Sequence, residues 1–251
     1  MARHLLIRLQ APLIAFGGET IDNYGVIRDF PALSMVTGLM ANALGWDRGD
    51  DTLHNRLQER MVMGSRLDAV GERLEDYQTA LIYEDDAGWT THGKAEGRKK
   101  SPSYSPMSDG RRGLTLQRYR RYHADMNVLV ALRLKPAEDA PTLDDLAAAL
   151  DKPSRPLFLG RKNCLPTDRL MAGWVEADNI LSALQLAEPA LSHNVRAQWP
   201  DGEGRLPGQQ DRTLDVCDER NWTSGVHGGW RPVREGLLRF ASHSTTEQEA
   251  A

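Results

Sequence analysis

Cysteines, aromatic residues and long apolar runs are all scarce in this chain of 251 residues. Its two cysteines, Cys164 and Cys217, form no CxxC pair, which argues against a disulfide framework or a zinc site and is typical of a reducing cytoplasm. No apolar run reaches the roughly 18 residues of a membrane-spanning helix. Arg8 interrupts the apolar N-terminal stretch and no cleavage site follows, so we expect no signal peptide and a cytoplasmic protein.

The sequence also lacks the motifs of cofactor and metal chemistry. Its seven histidines show no metal-ligand spacing, and HExxH, HxH and Cys/His clusters are absent. The patterns GxSxG, GxGxxG and the Walker motif are absent as well. The acidic pair Asp50-Asp51 and the run Glu84–Asp86 are more typical of solvated turns than of a site. We therefore predict no cofactor and no metal.

Positive charge, by contrast, is concentrated in residues 94–121. This stretch has a net charge of +7, whereas the whole chain has −4, so the remainder carries −11. Lys and Arg side chains that bind phosphates release condensed counterions, so the stretch indicates a polyanion partner, although a solvated basic loop has the same composition. Three tyrosines among the charges, Tyr104, Tyr119 and Tyr122, are suited to stack on bases. The nine cations are Lys94, Arg98, Lys99, Lys100, Arg111, Arg112, Arg118, Arg120 and Arg121.

Hydrophobic periodicity predicts an α+β fold. The order of elements approximates β-α-β-β-α-β, which is the plan of a modified ferredoxin-like (RRM-like) domain. No RNP1 sequence is present, so RNA stacking on the sheet as in an RRM is not expected. The predicted strands are 4–9, 61–70, 76–83, 127–134 and Leu157–Leu159, and the predicted helices are Pro31–Leu44 and one that begins at Thr142.

We divide the chain into three regions. Residues 1–160 form the ferredoxin-like domain, with a basic β-hairpin inserted at about 85–116. Residues 161–241 form a small, irregular β-rich C-terminal extension, and the small polar residues 242–251 form a disordered tail. Within the extension we expect strands at Arg169–Ala177, Arg212–Val216 and Trp230–Val233, and a helix at Asp178–Leu186.

Two short segments carry candidate binding or catalytic residues. Gly160, Arg161 and Lys162 follow an apolar run and can place backbone N–H groups and charge against a phosphate, although a surface turn has the same sequence. Tyr122 and His123 are the best acid–base candidates. A metal-independent ribonuclease needs a base for the 2′-OH, an acid for the leaving oxygen and a cation, which Lys99 or Lys100 would supply. A structural histidine remains the alternative.

Three longer segments follow one another in a specific order. Leu5–Gly17 reads as a strand, a proline and an aromatic-Gly pair. Phe30–Asp51 reads as a Phe-Pro pair, a glycine-containing helix and an acidic turn, and Pro156–Pro166 contains Leu-Gly-Arg-Lys-Asn-Cys. Together they resemble the CasD (Cas-five) family, in the subtype I-E version found in the CRISPR surveillance complex Cascade. Asp76–Thr79 and Arg120–Asp125 match the positions that flank the family's thumb.

The resemblance implies a non-catalytic subunit with a β-hairpin thumb at the basic insertion. In antiviral defence it would bind the 5′ handle of the CRISPR RNA, cap the filament of backbone (Cas-seven) subunits and help dock the large subunit near the PAM-proximal end of target DNA. The residues expected to contact RNA are Gly160, Arg161, Lys162, Arg8, Arg28, Lys94, Arg98, Lys99, Lys100, Arg111, Arg112, Arg118, Arg120 and Tyr122.

One departure and one alternative accompany the resemblance. Relatives often carry an arginine before the Phe-Pro pair, whereas this chain has Asp29 there and Arg28 one residue earlier. Relatives of subtype I-C process their own CRISPR RNA with Tyr, Lys and His side chains, so a metal-independent endoribonuclease built on Tyr122, His123 and a thumb lysine is the alternative function.

Overall fold

The computed structural model describes residues 1–18, 23–89, 95–96, 103–188 and 194–240. In this part of the chain it has a mixed α/β fold with one large, mainly antiparallel sheet. The helices are α1 (Leu33–Leu44), α2 (Asp51–Arg60), α3 (Leu143–Asp151) and α4 (Ile180–Leu186), with a short 3₁₀ turn at Pro207–Gln209. The strands are β1 (Ala2–Ile14), β2 (Tyr24–Gly25), β3 (Met61–Ala69), β4 (Glu72–Tyr83), β5 (Gly88–Trp89), β6 (Ala95–Glu96), β7 (Ser105–Pro106), β8 (Arg112–Leu134), β9 (Met171–Ala177), β10 (Asn194–Pro200), β11 (Asp211–Val216) and β12 (Arg231–Arg239).

The chain divides into two compact units. The core unit comprises residues 1–17, 27–74 and 122–251, and the small unit comprises residues 18–26 and 75–121. Strand β8 contributes residues 122–134 to the core unit and residues 112–121 to the small unit.

In the core unit, the sheet has the strand order β11-β12-β10-β3-β8-β1-β9, and these neighbours pair antiparallel. Side chains alternate along β1 and β8, so one face presents Ile7 and Val130 and the other presents Leu6 and Leu129. Helices α1 and α3 cover the first face in the larger hydrophobic core, and α4 covers the second face in a smaller one. The sheet is thus buried on both sides.

Local chemistry sets the ends of the predicted helices. Helix α1 ends at Gly45, whose φ of +82° is a left-handed cap that most residues avoid. Inside α1, a Cβ added at Gly38 would lie 3.3 Å from the Trp222 ring, so the glycine allows close packing. Helix α3 begins with a complete capping box between Thr142 and Asp145. These two predicted helices and the one predicted at Asp178–Leu186, which is α4, are confirmed.

In the small unit, short strands pair with the first part of β8. Strand β2 pairs with it in parallel, with Tyr24 opposite Tyr119, and β7 pairs with it antiparallel, with Ser105 opposite Gly113. The N–H of Glu84 donates to the carbonyl of Arg112 at 2.9 Å. Strands β5 and β6 form a separate two-stranded sheet.

The prediction of a strand at Leu157–Leu159 is wrong. The Leu159 N–H donates to the Cys164 carbonyl at 2.7 Å, which closes a tight turn, and Gly160 has a φ of +96°. The strand that pairs with the free side of β1 is β9, which we predicted at Arg169–Ala177 as part of the C-terminal extension. Strand β10 likewise pairs with β3, so the division drawn at residue 160 does not coincide with a division of the sheet.

Among the described elements longer than three residues, two were not predicted, α2 and β10. Helix α2 buries His54, Gln58 and Arg60 with a single leucine, Leu57, so it lacks an apolar stripe. The Arg60 guanidinium instead donates to backbone carbonyls at Pro136 to Pro141. The predicted tail, residues 242–251, lies outside the described residues. No helix within the described ranges is long and apolar enough to cross a membrane.

Candidate nucleic-acid interface

The turn from Gly160 to Cys164 is fixed against the end of β1. The Ala15 N–H donates to the Leu159 carbonyl at 3.1 Å. A Cβ added at Gly160 would lie 1.9 Å from the Ala15 carbonyl oxygen, and the φ of +96° also disfavours side chains. Glycine is therefore required at this position, and it holds the next two residues at the surface.

The side chains of Arg161 and Lys162 have different surroundings. The Arg161 guanidinium carbon lies 4.6 Å from the centre of the Tyr122 ring, within range of a cation–π contact. The Tyr122 hydroxyl accepts a hydrogen bond from Asn163 Nδ2 at 3.3 Å. Lys162 is exposed and has no side-chain hydrogen bond or ion pair within the described ranges. The turn thus presents one oriented cation and one that extends into solvent.

Tyr122 and His123 are both buried, with 2% and 1% of their surfaces exposed. His123 Nε2 lies 3.0 Å from the Arg28 carbonyl, so we assign the ring proton to Nε2, and Nδ1 is buried without a partner among the described atoms. Both side chains are therefore shielded from solvent in this structure. The burial also argues against base stacking by Tyr122. Lys99 and Lys100, the cations predicted to complete a catalytic group, lie outside the described residues.

Two of the segments that carry the sequence resemblance, Leu5–Gly17 and Pro156–Pro166, meet at the end of β1, beside Arg28 and His123. Ala15 contacts the Gly160 turn, and the next residue, Phe16, accepts the Arg28 N–H at 2.7 Å. The Phe16 ring also lies 6.4 Å from the His123 ring, centre to centre. Tertiary structure therefore brings together residues that are far apart in the sequence.

Arg8 and Arg28, also predicted to contact RNA, have partners within the core unit. Arg8 Nη1 lies 3.4 Å from Asp68 Oδ2 and 3.3 Å from Asn127 Oδ1, and its side chain is 28% exposed. Asp68 is shared with Arg66, whose side chain is fully buried. Arg28 Nη2 donates to the Cys217 carbonyl at 2.9 Å. Only part of the Arg8 charge is thus available at the surface.

Asp29 belongs to an ion-pair network at a cavity of about 230 Å³. It accepts hydrogen bonds from Arg73 at 2.7 Å and from Arg196 at 2.8 Å, and Arg196 also donates to Glu235 at 3.0 Å. Burial acts to raise the pKa of Asp29, but the hydrogen bonds from Arg196 and then Arg73 outweigh it and lower this pKa. The charges that line this cavity are therefore largely neutralised by each other.

Most described cations of the small unit already have partners. Arg111 pairs with Asp109 at 3.1 Å and lies 3.4 Å above the Tyr83 ring. The exception is Arg120, which is exposed and has no side-chain partner within the described part of the chain. The remaining contacts are Arg112 to the Tyr104 carbonyl at 2.6 Å, Arg118 to Asn23 Oδ1 at 2.5 Å and Arg121 to Glu75 Oε2 at 2.8 Å. Lys94, Arg98, Lys99 and Lys100 lie outside the described residues.

Among the predicted stacking residues, only Tyr119 belongs to an open aromatic group. Tyr104 is buried, as Tyr122 is. The Tyr119 ring centre lies 4.9 Å from that of Tyr24 and 5.0 Å from that of Tyr77. Sequence reasoning missed Tyr24, which follows a glycine-rich loop without periodicity, and identified Tyr77 only as a strand residue.

Within the described ranges, no group of three or more His, Cys, Asp or Glu side chains is gathered where a metal ion could bind. Cys164 is buried, and burial raises the pKa of its thiol. The core unit presents cations at the Gly160 turn, and the small unit presents aromatic rings and an exposed arginine. Cations and aromatic rings are the groups that contact phosphates and bases.

The fold and these surfaces define a mixed α/β protein with exposed cations on both of its units. The model of the CRISPR-associated protein (Cas_Cas5) family matches residues 4–234, and the chain belongs to this family. The resemblance seen in the sequence is thereby confirmed. The CRISPR system Cascade subunit CasD of Escherichia coli (strain K12) is 29% identical over 198 residues, which cover 75% of this chain and 79% of that protein.

Two solved structures share the fold. A chain of a CRISPR RNA-guided surveillance complex aligns with a TM-score of 0.61 at 20% identity, over 94% of this chain and 89% of that one. A crystal structure of a Cas protein aligns with a TM-score of 0.56 at 22% identity, over 94% of this chain and 95% of that one. The large antiparallel sheet of the core unit is therefore shared with Cas proteins.

Proposed function

We propose that this protein is a non-catalytic subunit of a type I-E-like Cascade complex in the cytoplasm. It binds the 5′ handle of the CRISPR RNA, caps the filament of backbone (Cas-seven) subunits and helps dock the large subunit near the PAM-proximal end of target DNA. Support comes from the family membership and from the similarity to a protein named as a Cascade subunit. In RNA-guided complexes base pairing reads the sequence, so protein contacts to the RNA backbone suffice for such a subunit.

The proposal includes a ferredoxin-like core with a thumb. The strand order β3-β8-β1-β9, with antiparallel neighbours and helices α1 and α3 on one face, supports a ferredoxin-like plan in which β9 is the fourth strand. Strands β4 and β8 pair and both contribute to the small unit, which supports a thumb formed by their extensions.

The observation that carries the proposal is the glycine-dependent turn with Arg161 and Lys162. Its backbone is fixed to β1, and Lys162 has no side-chain partner among the described residues. A cation held on a rigid turn contacts a phosphate with little loss of conformational freedom. We assign this turn to phosphates of the handle.

The Lys162→Glu variant tests this assignment. Lys162 makes no described contact that the substitution would break, so the fold is expected to persist. Tagged complex isolated from the host is expected to lose most of its copurifying guide RNA, because an acidic side chain repels phosphate. Lys152→Glu, at an exposed lysine after α3, is the matched control and is expected to retain RNA. Equal RNA retention by both variants contradicts the assignment.

A metal-independent endoribonuclease is the alternative function, and the burial of Tyr122 and His123 does not favour it. Incubation of the purified protein with repeat RNA in EDTA separates the two functions. The subunit proposal expects intact RNA. Site-specific cleavage that disappears in His123→Ala would establish the enzyme instead.

A further inference from the structure

The small unit carries three tyrosines whose rings are neighbours in series, with Tyr24 stacked on Tyr119 and Tyr77 tilted against it. We infer that Tyr24, Tyr77 and Tyr119, hereafter the tyrosine stack, hold an unpaired base of the bound RNA. This inference rests on the proposed function and extends it, because it assigns a base-contacting surface to residues outside the glycine turn.

Strand pairing builds the tyrosine stack. Strand β2 pairs with β8 so that Tyr24 lies opposite Tyr119, and their ring planes differ by 13°. Tyr77 lies on β4, which also pairs with β8, and its ring is tilted by 37° to that of Tyr119. Asn23 fixes β2 further, because its carbonyl accepts the Tyr119 N–H at 2.9 Å and its side chain accepts from Arg118 at 2.5 Å. The rings are therefore held in place by the backbone.

The outer rings of the tyrosine stack remain open to solvent. Tyr24 is 48% exposed and Tyr77 is 51% exposed, although each has one ring face against Tyr119. The two outer rings lie on opposite sides of Tyr119, because two rings at about 5 Å cannot share one face. The exposed surface of each outer ring thus includes the face that points away from Tyr119. Such a face is the surface on which a planar base stacks.

Two exposed arginines lie on the same strand as the central ring of the tyrosine stack. Arg118 and Arg120 precede and follow Tyr119 on β8, so their side chains project from the opposite face of that strand, and Arg120 has no side-chain partner among the described residues. Single strands are commonly bound without sequence preference by aromatic rings that stack on bases together with cations that contact the backbone. A duplex keeps its bases stacked inside, so an open ring face selects for single-stranded RNA.

Ultraviolet crosslinking of the tagged complex tests the proposed function and the base contact of the tyrosine stack in one preparation. Adducts between RNA and the peptides that contain Tyr24 or Tyr77 are expected after digestion and mass spectrometry. Guide RNA that copurifies but forms adducts only elsewhere overturns the inference and leaves the proposed function standing. Absence of copurifying RNA overturns both.

Substitutions at Tyr77 separate stacking from packing. Tyr77→Phe keeps the ring and is expected to bind a fluorescein-labelled oligouridine as the full-length wild-type protein does. Tyr77→Leu keeps an apolar side chain but removes the ring, and its Kd is expected to rise about tenfold, the effect of one lost base stack. Melting temperatures of both variants check the fold. Equal Kd values for Tyr77→Leu and wild type, or no oligouridine binding by the wild type, contradict the inference.

Discussion

At the scale of single residues, Gly160 has the closest neighbour to an added Cβ among the glycines that the structure describes. Gly160→Ala forces a Cβ into the Ala15 carbonyl at a positive φ, so we expect a loss of roughly 2–4 kcal/mol in the free energy of unfolding. Chemical denaturation measures this loss. Gly17→Ala is the matched control, since a Cβ there meets nothing within 4 Å. A Gly160→Ala protein as stable as Gly17→Ala would contradict the geometry of the turn.

The fate of Tyr122 and His123 shows where sequence reasoning fails at this scale. Their position near several arginines made them acid–base candidates, with a structural histidine as the alternative. Both side chains are buried, and each has a polar partner more than 35 residues away: the Tyr122 hydroxyl accepts from Asn163, and His123 Nε2 donates to the Arg28 carbonyl. No local sequence pattern predicts such distant hydrogen-bond partners. The turn at Gly160 was predictable, because a glycine and two cations after an apolar run are a local signal.

At the scale of elements, the N-terminus of α3 allows the contribution of a capping box to stability to be tested. Thr142 accepts the Asp145 N–H at 3.2 Å, and Asp145 accepts the Thr142 N–H at 2.8 Å. Thr142→Ala is expected to reduce the free energy of unfolding by about 1 kcal/mol, because one N–H of the first turn loses its acceptor. Urea denaturation measures the change. Thr142→Ser retains the hydroxyl and is expected to behave as wild type, and a loss in both variants would contradict the capping account.

Elements with a local signal were predicted, and those fixed by distant partners were not. Helices α1 and α3 have apolar residues at helical spacing and clear end residues. Helix α2 was not predicted because its buried face is mostly polar. Strand β10 alternates buried Val195, Ala197 and Trp199, but it has only seven residues, so its apolar alternation is too short to be distinctive. The apolar run Leu157–Leu159 was assigned to a strand because apolar character alone does not separate strands from buried turns.

At the scale of the whole molecule, Asp29 connects distant parts of the core unit through Arg73 on β4 and Arg196 on β10. Its pKa is lower in the folded protein than in the unfolded chain, so the unfolded state binds the proton first as the pH falls. The stability from this carboxylate is therefore present above its ordinary pKa of about 3.9 and is lost below it.

The Asp29→Asn variant tests this linkage. We expect a lower free energy of unfolding than wild type at neutral pH and a shallower loss of stability on acidification, because the titrating group is gone. Urea denaturation series from neutral to acidic pH measure both. Asp178→Asn, at an exposed carboxylate, controls for the loss of one negative charge. Parallel pH profiles for Asp29→Asn and wild type would contradict the role of Asp29.

The pairing of β1 has a consequence for synthesis of the chain. This strand, Ala2–Ile14, pairs with β8 at His123–Leu132 and with β9 at Met171–Ala177, so contacts separated by more than 100 residues build the centre of the sheet. The hydrogen bonds of β1 cannot all form until β8 and β9, more than 100 residues later in the chain, have been synthesised. Folding is therefore expected to be slow, largely post-translational and dependent on protection of β1 from premature association.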